Sequence, residues 1–424
     1  MSVTEPAGER TVRNHPGAAL PWPGLLALAA AVFLSITIEL LPTGLLPEMG
    51  EGLRVPETLI GLTVSVYAFT VVLTSAPLVA VTSRIPRRAL LIAVLIVLAC
   101  STGLSALAPE YWMFVAARVV GGVAHGVFWA LVAAAAARLV PDHLIGRAVA
   151  VVLGGGTLAL VLGVPAGTVL GQAIGWRAAF GLIALLALVG AVVVRLAVPA
   201  DHAGASPTAA RYRVRDAGFW QVILVCAVTA VTMLGQYAVY TYVAPLITDL
   251  MGFDAGAIGP LLFVYGVAGA VGLVIAGSPL ARHAVGTMIG SMAIAAAALA
   301  TIALDLAPAV SVAAFAVWGV AFGAIPPLLQ TRLLQAAPAG HRDAASALFT
   351  TAFNVGIGGG ALIGSILFGV LGVAALPWLY AAVLVVAATV VAVATGRATR
   401  RQSAERSAGD AAPTGPTPPP NVSA

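Results

Sequence analysis

Lysine is missing altogether from these 424 residues, so all 21 basic side chains are arginine. Without it there is no Walker A loop, because the phosphate-binding chemistry of that motif depends on its lysine. Charge of either sign is scarce: 9% of the chain is charged, against about a quarter in a typical soluble domain. That excludes a water-soluble globular fold. Two cysteines, Cys100 and Cys226, are too few for a disulfide framework. Both lie in apolar runs, where they read as small buried hydrophobes. No H-E-x-x-H pattern and no G-x-S-x-G turn occurs, so neither a metal ligand set, a cofactor site nor the clustered groups of an enzyme can be read.

What the chain has instead is hydrocarbon. It is 60% hydrophobic with a mean hydropathy of +1.03. Windows of about 20 apolar residues, each long enough to cross a bilayer as a helix, recur along nearly its whole length. Twelve spans are expected, at about 24–45, 58–81, 89–108, 111–137, 148–171, 178–198, 219–245, 257–279, 286–306, 309–335, 344–370 and 376–396. A β-barrel would show short alternating segments instead. Residues 1–19 form a polar tail, and the first apolar run is too long for a cleaved signal peptide and reads as a retained helix. Residues 397–424, rich in Pro, Ala and Ser, are expected to be disordered.

The arginines mark the topology. Alternate connections carry Arg10 and Arg13; Arg84, Arg87 and Arg88; Arg138 and Arg147; Arg195, Arg211, Arg213 and Arg215; Arg282; Arg332 and Arg342; and Arg397, Arg400, Arg401 and Arg406. The opposite side holds Arg54 and Arg177, and Arg118 lies within a span. The positive-inside rule then places both termini in the cytoplasm. The basic balance reflects this topology and is no nucleic-acid footprint.

A shift of 198 residues aligns Pro47 with Pro245, Gly61 with Gly259, Val66 with Val264, Tyr67 with Tyr265 and Arg84 with Arg282. The order and common offset of these identities indicate an internal duplication. Six spans return the chain to its starting side, so the two copies are parallel repeats, the plan of secondary transporters with a substrate site between the halves. The halves are 20–198 and 219–396, joined by a polar cytoplasmic linker at 199–218.

Within the first span, "FLSITIELLPTGLLPEM" contains one carboxylate, Glu39. By rise per residue it lies about 10 Å below the outer surface. Arg118, seven residues into the fourth span, lies at about the same depth. Charges in lipid face a cavity or a partner. Apolar surroundings favour the neutral carboxyl and a cation beside it favours the carboxylate, which is what proton coupling requires. A static ion pair that fixes helix packing is the alternative. Gly122, His125, Gly126 and Trp129 continue the Arg118 stripe along one helical face, where His125 and Trp129 could meet a substrate or simply pack. Gln236, Tyr237, Tyr240 and Tyr242 in the seventh span suit a pocket for an uncharged or amphipathic ligand, with Tyr237 at the position equivalent to Glu39. Asn354 and Gln330 are weaker polar candidates that could equally join helices. Gly155, Ala159, Gly163, Gly167 and Gly171, with Pro165 among them, make a small face for close helix contact, and "NVGIGGGALIG" at 354–364 is its second-half analogue.

These stretches, with "FVAARVVGGVAHGVFWALVAAAAARL", "LGVPAGTVLGQAIGWRAAF" and "YTYVAPLI", resemble the major facilitator superfamily, and within it the twelve-span drug:proton antiporters akin to sugar-efflux and chloramphenicol-efflux permeases. The resemblance covers about residues 24–396. It implies an all-α fold of two six-helix halves and a bacterial inner-membrane exporter, monomeric and without cofactor. Its partners are the bilayer, protons and a small molecule: a drug such as chloramphenicol, a sugar or a related metabolite. Arg118 and Gly122 match the family's R-x-x-x-G motif and Glu39 its acidic position, implying proton coupling. Gly163, Pro165, Gly167 and Gly171 match the antiporter motif, with Val164 where many members carry glycine. The loop "VAVTSRIPRR" keeps Arg84, Arg87 and Arg88 of a gating pattern G-x-x-x-D-R-x-G-R-R, with Val79, Ser83 and Pro86 replacing the first glycine, the aspartate and the second glycine. The same fold can also support uptake by symport. A membrane receptor or embedded enzyme is a further alternative.

Overall fold

A computed structural model describes residues 20–199, 218–278, 283–338 and 341–410. The expected tail 1–19, all but the ends of the linker 199–218, Arg282, and the last part of the C-terminal tail lie outside the described residues. Among those described there are helices and no strand, and twelve helices are long and apolar enough to cross a bilayer. They are α1 (Trp22–Gly44), α2 (Glu57–Val81), α3 (Arg87–Leu107), α4 (Tyr111–Arg138), α5 (Ile145–Ile174) and α6 (Trp176–Ala197) in the first half. The second half contains α7 (Phe219–Tyr240), α8 (Ala255–Gly277), α9 (Ala284–Ala303), α10 (Pro308–Ala336), α11 (Arg342–Leu371) and α12 (Ala375–Asp410).

The packing repeats between the halves. In the first, α1 packs on α5 and α6, α2 on α4, and α3 on α4 and α6. In the second, α7 packs on α11 and α12, α8 on α10, and α9 on α10 and α12. Glycines show the repeat residue by residue. A Cβ at Gly122 would meet the Tyr67 carbonyl and one at Gly319 the Tyr265 carbonyl; Gly126 abuts Val71 as Gly323 abuts Gly269. These contacts bring α4 onto α2 and α10 onto α8 at backbone distance, which small residues allow in a membrane.

Between the halves, α2 lies against α11 and α5 against α8, a pair of contacts that exchange under the same repeat. The hydrogen bonds from Ser365 Oγ to the Thr58 carbonyl (3.0 Å) and from Gln172 Nε2 to the Ala255 carbonyl (2.9 Å) cross the seam near the arginine-poor end.

Three departures from the expected spans have local causes. A short helix, Leu46–Leu53, follows α1 and ends at Arg54 in a left-handed conformation. The expected span 219–245 stops at Tyr240, because Pro245 supplies no N–H and its ring crowds the carbonyl four residues back, at Thr241. A π-turn, Leu246–Leu250, follows, and α5 carries another at Ala159–Gly163, just before Pro165. Third, the expected disorder from 397 does not hold through 410: α12 runs to Asp410. That stretch is rich in Ala, Arg, Gln and Glu, strong helix formers, and its next proline is Pro413.

Candidate functional site at the Glu39 cluster

The α1 face that carries Ser35 and Glu39, one turn apart, meets the α4 face that carries Arg118 and His125. All four are buried. Glu39 Oε2 lies 3.4 Å from His125 Nε2, and His125 Nδ1 lies 2.9 Å from Ser35 Oγ. The expected pairing of Glu39 with Arg118 takes a different form. The guanidinium donates to the backbone carbonyls of Ile38 and Glu39, both at 2.9 Å, and the carboxylate is left to His125. Arg118 also lies over the Tyr67 ring, 4.0 Å from its centroid, and Tyr67 meets the His125 ring edge-on at 5.2 Å. One aromatic from α2 thus stands between the two basic side chains. An isolated charge in this setting is costly, and here the carbonyl dipoles and the π-face stabilise the cation.

Trp129 continues the stripe with its ring 6.1 Å from His125. Three buried donors of the cluster have no hydrogen-bond partner: Trp129 Nε1, Tyr67 Oη and Arg118 Nε. Unpaired buried donors are uncommon and point to something that binds there.

Across the seam lies the half-buried Tyr237 of α7. It packs with Val64 and Ala68 of α2 and Ile357 and Ala361 of α11. Tyr240 lies behind it, 6.3 Å ring to ring, and 5.3 Å from Tyr265. Gln236 points elsewhere, into a closed network: it donates to Tyr265 Oη at 2.8 Å and accepts from Trp318 Nε1 at 3.0 Å. Tyr242 donates to the Ala361 carbonyl at 2.9 Å. Asn354 donates back to Thr350 on its own helix, and Gln330 is exposed.

The glycine face of α5 meets α1 in register. Gly163, Gly167 and Gly171 stand against Thr37, Leu41 and Leu45, four residues apart on both helices. Between α2 and α3, Arg84 is exposed, and at the start of α3 Arg87 is buried while Arg88 donates to the carbonyl of Arg195 at the end of α6. That bond lies inside the first half. Sequence reasoning named Glu39, Arg118 and His125 but passed over Ser35, whose position one turn before Glu39 was the available signal.

A twelve-helix bundle of two repeated halves, with buried charge beside the seam, defines a membrane transporter. The family model of the Major Facilitator Superfamily matches residues 28–361, and the chain belongs to that family. It is 34% identical over 382 residues to a chloramphenicol efflux pump of Mycobacterium tuberculosis strain H37Rv, a match covering 86% of this chain and 91% of that one. The corresponding pump of strain CDC 1551 is 33% identical over the same length and coverage. Among solved structures, an inward-facing, occupied bacterial homologue of the human lysosomal transporter Spinster shares the fold with a TM-score of 0.70 at 16% identity, covering 89% of this chain and 98% of that one. The human organic anion transporter MFSD10 (TETRAN) does so with a TM-score of 0.67 at 14% identity, covering 88% and 100%.

Proposed function

We propose that this chain is a proton-coupled exporter that carries amphipathic, largely uncharged antibiotics of the chloramphenicol type out of the cytoplasm across a bacterial inner membrane. The carrying observation is one carboxylate, Glu39, buried in the bundle beside the seam in a chain similar throughout to chloramphenicol efflux pumps. Both termini lie in the cytoplasm, where the arginine-rich connections belong. The two halves rock about the central seam as a monomer, joined by the 199–218 linker.

Glu39 takes the proton. Arg118 holds the α1 backbone and sets the field at the carboxylate. His125, Trp129, Tyr237 and Tyr240 line the path, and the unpaired indole N–H of Trp129 meets an acceptor oxygen on the cargo. The small face of α5 against α1 keeps the site's helices close.

The test is reconstitution of the wild type and Glu39→Gln in vesicles under an imposed proton gradient, with internal pH followed as chloramphenicol or a panel of sugars is added. Proton movement driven by chloramphenicol through the wild type and absent from Glu39→Gln supports the reading. Equal responses from both proteins overturn it, and accumulation of cargo along the proton gradient makes the protein an uptake symporter.

A further inference from the structure

We infer that Glu39 and His125 hold the exchanged proton jointly, as one buried pair oriented by Ser35, while Arg118 acts on the backbone of α1. This deepens the proton-coupled reading above and depends on it.

The atoms around the pair leave little choice. An ionised carboxylate only accepts hydrogen bonds, so a neutral His125 that faces it at 3.4 Å carries its proton on Nε2. Nδ1 is then an acceptor, and the Ser35 hydroxyl at 2.9 Å is its donor. Serine fits this place because a hydroxyl both donates and accepts. A second proton arriving from water has two seats. On the carboxyl it makes a neutral acid beside a neutral imidazole. On Nδ1 it makes an imidazolium beside the carboxylate, and Ser35 turns its hydroxyl to accept. Either way the pair goes from net −1 to neutral, and neither seat requires a helix to move.

Among the described residues, the surroundings supply no competing group. Arg118, from the same helix as His125, is committed to the Ile38 and Glu39 carbonyls and to the Tyr67 face. Tyr67 from α2 offers its ring to His125. Tyr237 of α7 packs against Val64 and Ala68 of α2. These are phenols and a guanidinium, which keep their protons near neutral pH. The repeat reinforces the point: where the first half has Glu39 and His125, the second has Tyr237 at the 198-residue offset and, by the glycine match Gly122 to Gly319, Phe322. The proton chemistry is confined to one half.

The test separates the pair from a substrate-wall role for His125. Wild type, His125→Asn, Ser35→Ala and Glu39→Gln are reconstituted and assayed twice with chloramphenicol as probe: for exchange at equal pH, and for proton-driven transport across a pH series. Nitrogen NMR of histidine-labelled protein gives a readout independent of transport, with the His125 signal identified among the six histidines by its loss in His125→Asn. A shared proton makes the His125 titration in Glu39→Gln differ from wild type by about one pH unit or more, the scale of coupled sites. It also displaces the pH profile of proton-driven transport in His125→Asn by a similar amount, with Ser35→Ala intermediate. A His125 signal that titrates identically with and without the carboxylate overturns the pair. So does a His125→Asn variant altered only in its KM for chloramphenicol. Wild-type protein that moves no protons with chloramphenicol overturns the export reading instead, and the NMR result still decides whether the pair exists.

Discussion

Arg118 is a buried cation whose side-chain hydrogen bonds go to two peptide carbonyls, Ile38 and Glu39. A planar fork meets them with two nitrogens in fixed geometry, which the single nitrogen of an ammonium on a flexible stem does not reproduce. Arg118→Lys is therefore expected to cut proton-driven transport about tenfold or more, since each lost charge-assisted bond removes about 1.5–3 kcal/mol of positioning; vesicle transport measures it, and wild-type rates in the Lys variant refute the clamp. Gln236 makes the opposite case. Both ends of its amide are used, by Tyr265 and Trp318, so Gln236→Leu should destabilise the protein by about 1–3 kcal/mol through those two orphaned partners and leave the KM for cargo unchanged. Thermal unfolding and a substrate titration decide it. The depth of Glu39 and Arg118 was legible in the sequence because rise per residue fixes height in a span. The identity of the carboxylate's neighbour was not, because the rotation of α1 relative to α4 is set by packing: Gly122 and Gly126 seat α4 on α2 and swing His125 toward α1.

At the scale of helices, the number and order of the spans follow from hydropathy alone, and the sequence boundaries differ from the structure where backbone chemistry intervenes, as at Pro245 below Thr241. The glycine stripe was readable as a packing face, and its register was not: only the structure shows Gly163, Gly167 and Gly171 keyed to Thr37, Leu41 and Leu45. Neighbouring glycines in α5 make a direct test of this contact. A Cβ at Gly155 would run into the Ala29 backbone carbonyl of α1, whereas one at Gly154 meets nothing within 4 Å. Gly155→Ala should force α1 and α5 apart and lower both thermal stability and transport. Gly154→Ala should match or exceed wild-type stability, since alanine favours a helix over glycine by about 1 kcal/mol. Equal behaviour of the two variants would remove close α1–α5 packing from the account.

For the whole molecule, the repeat dictates how the halves can move. Because α2 and α11 are related to α8 and α5 by the duplication, the seam has two equivalent walls, and rocking must open both at one end together. Ser365 bonded to Thr58 on one wall and Gln172 bonded to Ala255 on the other hold the arginine-poor end shut in this structure. Cargo can pass the arginine-poor end only after both contacts part. A disulfide requires Cα atoms about 5.5 Å apart, and the Ser365 hydroxyl bonded to the Thr58 carbonyl marks where α2 and α11 come near one another. With Cys100 and Cys226 replaced by serine, a Thr58→Cys and Ser365→Cys double variant is expected to cross-link under mild oxidation and to lose transport. It should still bind cargo presented at the arginine-rich end, and reduction should restore the full cycle. The two single-cysteine variants should transport whether oxidised or reduced. Transport that survives complete cross-linking would mean that α2 and α11 stay together at this end throughout the cycle, and the exit would then have to open without separating the two halves there.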